Sequence, residues 1–193
     1  PYGCEIRRFM WFQDSAAALA EREFTGTLVS DDGSLGKNVN AQMAYIRSLL
    51  TINELEKYRH LGKLAAETVT AAVEGAEAGM AEADIAALLI GEGAKRRCQV
   101  PIALIAADRR ITKFRHPLPT TAPLLPDKMR EVLVRGYVMI ILSLLREGLV
   151  ASVTRFKRVG ELPDRIPSAY ARICGVDTLL HEATEPGKTL GDV

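Results

Sequence analysis

His116, Ser152 and Arg155 are the side chains best suited to chemistry. His116 stands in Phe114-Arg115-His116-Pro117-Leu118-Pro119, and the other two in Gly148-Leu149-Val150-Ala151-Ser152-Val153-Thr154-Arg155. An imidazole can serve as a general base near neutral pH without a metal, and a guanidinium offers a forked donor to a carboxylate. Plainer readings stand beside these: a loop histidine bonded to backbone beside two prolines, an Arg155 paired with a nearby Glu, and a Ser152 that fills space. No nucleophile-elbow motif surrounds Ser152, so a triad nucleophile there is poorly supported. Asp108 and Asp192 read as a turn residue and a helix cap rather than as metal ligands, and His60 and His181 as surface residues of helices. The three cysteines, Cys4, Cys98 and Cys174, show no CxxC or Cys-His spacing. That argues against a zinc site or a disulfide framework and makes a reducing cytoplasm the simplest setting.

The elements that position these residues follow from spacing. Thr51-Ile52-Asn53-Glu54 fits a capping box, in which the Thr51 hydroxyl accepts from the Glu54 amide and Glu54 reaches back. The helix behind it carries Leu55, Tyr58, Leu61, Ala65, Val69, Ala72 and Val73 on one face. It is expected to stop near Ala78-Gly79, where glycine takes the left-handed position. A second helix is expected over residues 81–97, with Ile85, Leu88 and Leu89 inward, and Cys98 and Cys174 are assigned to helices. Residues 101–107 and 111–114 read as strands with Arg109-Arg110 in the turn, and His116 falls at the carboxyl end of the second. The two prolines after it exclude regular helix or a central strand. Residues 134–145 and 149–158 read as an antiparallel pair joined by Arg146-Glu147-Gly148, and alternation puts Ser152 and Arg155 on opposite faces. Pro163 and Pro167 frame a helix with Tyr170, Ile173, Cys174, Leu179 and Leu180, ending before Pro186-Gly187. Thr189-Leu190-Gly191-Asp192 is a cap with no helix behind it, so the polypeptide is expected to continue. Residues 13–50 read as the remnant of an α/β unit: a helix over 13–24, a β-like run over 26–30, a turn over 31–34 and a helix over 38–50.

Bulk properties narrow the function classes. The chain has 193 residues, 48% hydrophobic and 25% charged, enough for one core of ordinary size or one core and a fragment of a second. With 25 basic and 24 acidic residues, nothing calls for nucleic acid or an anionic membrane as partner. The short clusters Arg7-Arg8, Lys95-Arg96-Arg97 and Arg109-Arg110 read as solvated faces or turns. No apolar run reaches the ~18–20 residues of a membrane span; the longest, residues 138–145, is broken by Ser143 and suits a buried strand. Residues 1–5 lack a basic region followed by an apolar one, so no signal peptide is expected, and without an initiator Met, Pro1 need not be the native start.

Several segments together resemble one family. Residues 50–59, Leu-Thr-Ile-Asn-Glu-Leu-Glu-Lys-Tyr-Arg, are similar to the segment that opens the pita-bread domain of prolidases and aminopeptidases P. Glu77-Ala78-Gly79-Met80-Ala81-Glu82 resembles the link between that domain's first two helices. Phe114-Arg115-His116-Pro117 sits where the family has a Pro-His substrate-site strand. Residues 148–155 resemble its Gly-Tyr-x-x-Asp-x-Thr-Arg hairpin strand, and Glu185-Pro186-Gly187 with Asp192-Val193 its Pro-Gly turn and helix start. The resemblance to the creatinase, prolidase and aminopeptidase P family covers about residues 50–193. It implies an α+β chain: the first half of a pita-bread domain over 50–193, a curved antiparallel sheet covered by helices, after the tail of an amino-terminal α/β domain over 1–49.

The departures bear on function. Family peptidases hold two divalent ions, such as Mn, Co or Zn, with two Asp, one His and two Glu, and the ions activate a water. The first Asp stands seven residues before the hairpin Gly, where this chain has Ile141. The second stands three residues before the Arg, where this chain has Ser152. Neither replaces a bridging carboxylate, and the remaining family ligands would lie beyond Val193. The resemblance also gives His116 a substrate-site position, the one that creatinase uses as a metal-free base. With Ser152 and Arg155 it would line the cleft, with Ser152 favoured as the cleft-facing member of that pair. Three readings follow: a degenerate peptidase homologue, without cofactor, that binds a peptide or protein; a metal-independent hydrolase of a small C–N substrate acting through His116; and an active Xaa-Pro metallopeptidase, which requires a different alignment of Ile141 and Ser152. A homodimer in the cytoplasm, with no nucleic acid or membrane partner, is expected.

Overall fold

The computed structural model describes residue 3, residues 5–118, residue 120 and residues 132–193. Expectations resting on Pro1, Tyr2, Cys4 and Pro119 fall outside the described residues. The chain divides into two compact units, Pro1–Leu55 and Glu56–Val193.

The first unit has helix α1 (Ala16–Glu23), strands β1 (Val29–Ser30) and β2 (Lys37–Asn38), and helix α2 (Asn40–Ser48). Ser15 caps α1 by accepting from the Ala18 amide at 3.1 Å. The two short strands pair in parallel. Both helices are shorter than their periodicity predicts, and neither buries a residue within the described structure.

The second unit is built on helices α3 (Ile52–Gly75) and α4 (Glu82–Lys95) and strands β3 (Gln99–Ala107), β4 (Tyr137–Arg146) and β5 (Leu149–Arg158), followed by helix α5 (Arg165–Ala183). The start of α3 is the expected capping box. The Glu54 amide donates to Thr51 Oγ1 at 3.2 Å and the Thr51 amide to Glu54 Oε2 at 2.7 Å. The helix ends at Gly75, a turn earlier than expected, and Gly79 takes a positive φ of 87° in the link to α4.

The sheet is antiparallel in the order β3-β4-β5. As the central strand, β4 is buried along most of its length on both faces, which accounts for its unbroken apolar run. Val138, Ile140, Leu142 and Leu144 join Leu61, Ala65, Val69 and Ala72 of α3 and Ile85 and Leu89 of α4 in one core. Each fully buried Leu or Ile contributes about 1.5–3 kcal/mol. The two helices therefore cover one sheet face, and alternation turns Met139, Ile141, Ser143 and Leu145 to the other. A two-residue turn closes the hairpin, with Glu147 and Gly148 at φ 51° and 80°. Arg146, expected in that turn, is the last residue of β4, and β4 begins at Tyr137 rather than at Val134.

The structure corrects two further expectations. Residues 111–114 are not a strand. Asp108 adopts a left-handed conformation (φ 48°), the chain folds into a 3-10 turn over Asp108–Arg110, and residues 111–113 continue as turn. His116 consequently lies in an exposed loop and not at a strand end. Cys98 is in the connection between α4 and β3, buried, rather than on the helix. Among the described residues no helix is long and apolar enough to cross a membrane.

Candidate functional site

The hairpin β4–β5 sets the geometry of the expected cleft. Ser152 pairs with Ser143, and their hydroxyl oxygens are 2.8 Å apart. Thr154 pairs with Ile141. Ile141 and Ser152 are therefore diagonal neighbours on one face, the face turned away from α3 and α4. Arg155 pairs with Ile140 and starts from the opposite face, where its Nη1 donates to the Thr154 carbonyl at 2.9 Å. Next to it Lys157 reaches the Glu74 carbonyl at the end of α3. His116 is exposed, and among the described residues its imidazole has no hydrogen-bond or ionic partner. The structure thus brings Ser152 beside Ile141 and Ser143, and separates Arg155 from them.

The main-chain path past this face depends on two acidic side chains that sequence reasoning did not single out for a structural role of this kind. Asp108 bridges β3 to the start of β4. Its Oδ2 accepts from the Arg135 amide at 2.9 Å, and its Oδ1 from the Gly136 and Tyr137 amides at 2.8 and 3.0 Å. Gly136 is required here: a Cβ would stand 2.4 Å from the Glu161 carbonyl oxygen.

Glu82, in the first turn of α4, is fully buried. Its Oε1 accepts from the Ala107 amide at 2.7 Å, and its Oε2 pairs with Arg110. Burial pushes the Glu82 carboxyl above its ordinary value, against the pull of the Ala107 amide, Arg110 and Thr120. Arg110 also donates to the Leu118 carbonyl at 2.8 Å and lies 5.5 Å over the Phe114 ring. This network holds the loop that carries His116 to the end of β3. An acid in the first turn of a helix is ordinary dipole chemistry, so no local signal marks Glu82 as buried.

Comparison of this arrangement with solved structures is decisive for the fold. The fold is the pita-bread fold. The prolidase of Pyrococcus horikoshii OT3 matches with a TM-score of 0.68 at 20% identity, over 79% of this chain and 42% of that one. The X-Pro aminopeptidase of Thermotoga maritima MSB8 matches with a TM-score of 0.63 at 19% identity, over 74% and 38%. The Xaa-Pro dipeptidase of Bacillus anthracis matches with a TM-score of 0.64 at 14% identity, over 84% and 48%. This chain therefore spans less than half the length of these structures. No family model and no curated protein matches it by sequence.

The two positions that the resemblance gives to metal-binding aspartates share one face of the sheet in this chain. Ile141 has no ligating atom, and the Ser152 hydroxyl is engaged with Ser143. Hard divalent ions need several oxygen donors, preferably carboxylates. Among the described residues no three His, Cys, Asp or Glu side chains converge. The residues present at these two positions do not fit a divalent ion.

Proposed function

We propose that this chain is a peptidase-like homologue that has given up the dinuclear metal site and uses the pita-bread cleft to bind a peptide or protein segment. The observation that carries this reading is the pairing of Ser152 with Ser143 beside Ile141, on the face where the resemblance calls for two carboxylates. That face offers hydroxyls and apolar side chains, with Val150 and Phe156 nearly half exposed, which suits an extended segment better than an ion. Without the ions, several kcal/mol of transition-state stabilisation are missing, and each ~1.4 kcal/mol is a tenfold loss of rate.

The protein is read as working without cofactor and as a homodimer in the cytoplasm. The α5 residues Ile173, Val176 and Leu179, each more than half exposed, support a covering partner. The names of the solved neighbours favour one competing reading, an active metal-dependent Xaa-Pro peptidase. Elemental analysis of the purified full-length protein decides between the two, together with an Xaa-Pro peptide assay with and without added Mn. The expected result is no stoichiometric divalent ion and no turnover. About two Mn, Co or Zn ions per chain, or metal-dependent cleavage abolished by His116→Ala, would replace the proposal with the competing reading.

A further inference from the structure

A cavity at the β3–β4 connection is lined by more cations than anions. It has a volume of about 600 Å³ and is lined by Asp108, Arg109, Thr112, Lys113, Arg135, Tyr137, Glu161 and Arg165 among others. Four cations face two carboxylates, and the carboxylate of Asp108 is already occupied by three backbone amides. Among the described residues Arg109, Lys113, Arg135 and Arg165 have no acidic partner. Some arginines elsewhere do pair: Arg22 with Asp14, Arg47 with Asp31, Arg96 with Glu92 and Arg110 with Glu82. Four cations around one concavity repel one another, and a bound anion relieves that repulsion.

We propose that this cavity is a binding site for a small molecule carrying two or more oxyanion groups, phosphate or carboxylate. The volume falls within the range of small-molecule sites and is far larger than one oxyanion needs. Three of the four cations are arginines, whose planar forks match phosphate and carboxylate oxygens in pairs. Tyr137 and Pro163 supply an apolar wall for the ligand's carbon skeleton. The floor is rigid, because the Asp108 carboxylate pins Arg135, Gly136 and Tyr137, and the Val159 and Gly160 amides donate to the Gly136 carbonyl at 2.8 and 2.9 Å. Tyr137 shares a sheet face with Ser143 but stands six residues from it along β4, and the site does not depend on the peptide-binding reading.

The test is isothermal titration of the full-length protein with pyrophosphate and with citrate, at low and at physiological salt. The expected result is sub-millimolar Kd for at least one probe, weakening as salt screens the cations. Pyrophosphate binding alone identifies a phosphate ligand, citrate alone a polycarboxylate, and both a site that reads charge. The exposed triple variant Arg109→Ala, Lys113→Ala, Arg165→Ala should lose at least about tenfold in affinity, since three charge-assisted contacts are removed. Thr112→Glu, which places a carboxylate in the wall without touching the cations, should do the same. Glu161→Gln should tighten binding by about two- to fivefold, the size of one exposed charge interaction. The proposal is overturned if neither probe binds, or if a folded triple variant or Thr112→Glu keeps the wild-type Kd.

Discussion

Glu82→Ala is the substitution from which the structure predicts the largest effect. The side chain is fully buried and serves the Ala107 amide at 2.7 Å, the Arg110 guanidinium and Thr120. Truncation leaves Arg110, whose side chain is only 12% exposed, without its anion. Breaking one side of a buried charge pair costs about 3–5 kcal/mol. The orphaned Ala107 amide would cost about 1–3 kcal/mol by itself, but groups in one network do not add, so the expected total is about 4 kcal/mol. With a urea slope of about 2 kcal/mol/M, the unfolding midpoint should fall by about 2 M. The assay is urea unfolding followed by circular dichroism. The double variant Glu82→Leu with Arg110→Met removes both charges and should recover most of the loss. Because burial raises the folded-state value of Glu82, its contribution is fully present below the unfolded value of about 4.3 and declines as pH rises through the folded value. The gap between wild type and Glu82→Ala should therefore be widest near pH 4 and narrow upward. A midpoint shift under about 0.5 M, or a gap that widens with pH, would refute this account of the network.

The Asp108 bridge predicts a graded series. Asp108→Ala leaves the buried Gly136 and Tyr137 amides without an acceptor and should cost about 2–4 kcal/mol in a thermal or urea melt. Asp108→Asn keeps one oxygen and the tolerance for a left-handed φ, and should cost about half as much; equal losses for the two variants would contradict a role through hydrogen bonding. Gly148→Ala forces a Cβ into the hairpin turn at φ 80° and should destabilise by about 1 kcal/mol, read from the same melts. No measurable loss there would mean that the turn relaxes to another type.

Local periodicity was enough to find the helices of the second unit and the β4–β5 hairpin. The Thr51–Glu54 box is a short-range exchange between residues three apart, so it reads directly from sequence and forms as expected. The run over residues 138–145 is apolar on both parities because β4 is buried along most of its length on both faces, and the strand register follows from the turn at Glu147-Gly148. The same alternation separates Ser152 from Arg155. What only the tertiary structure decided are the features whose partners lie far along the chain. Ile111 and Thr112 favour a strand locally, yet Asp108 turns the chain away because its carboxylate binds amides 27 to 29 residues later. Glu82 looks like any acid opening a helix, and its burial follows from contacts with Ala107 and Arg110, 25 and 28 residues on. The cationic cavity joins Arg109 to Arg165 across the start of β4. In sequence Arg109-Arg110 is a short basic pair in a turn; folding sends Arg110 inward to Glu82 and leaves Arg109 on the rim, a division that no spacing rule contains because long-range electrostatics has no period.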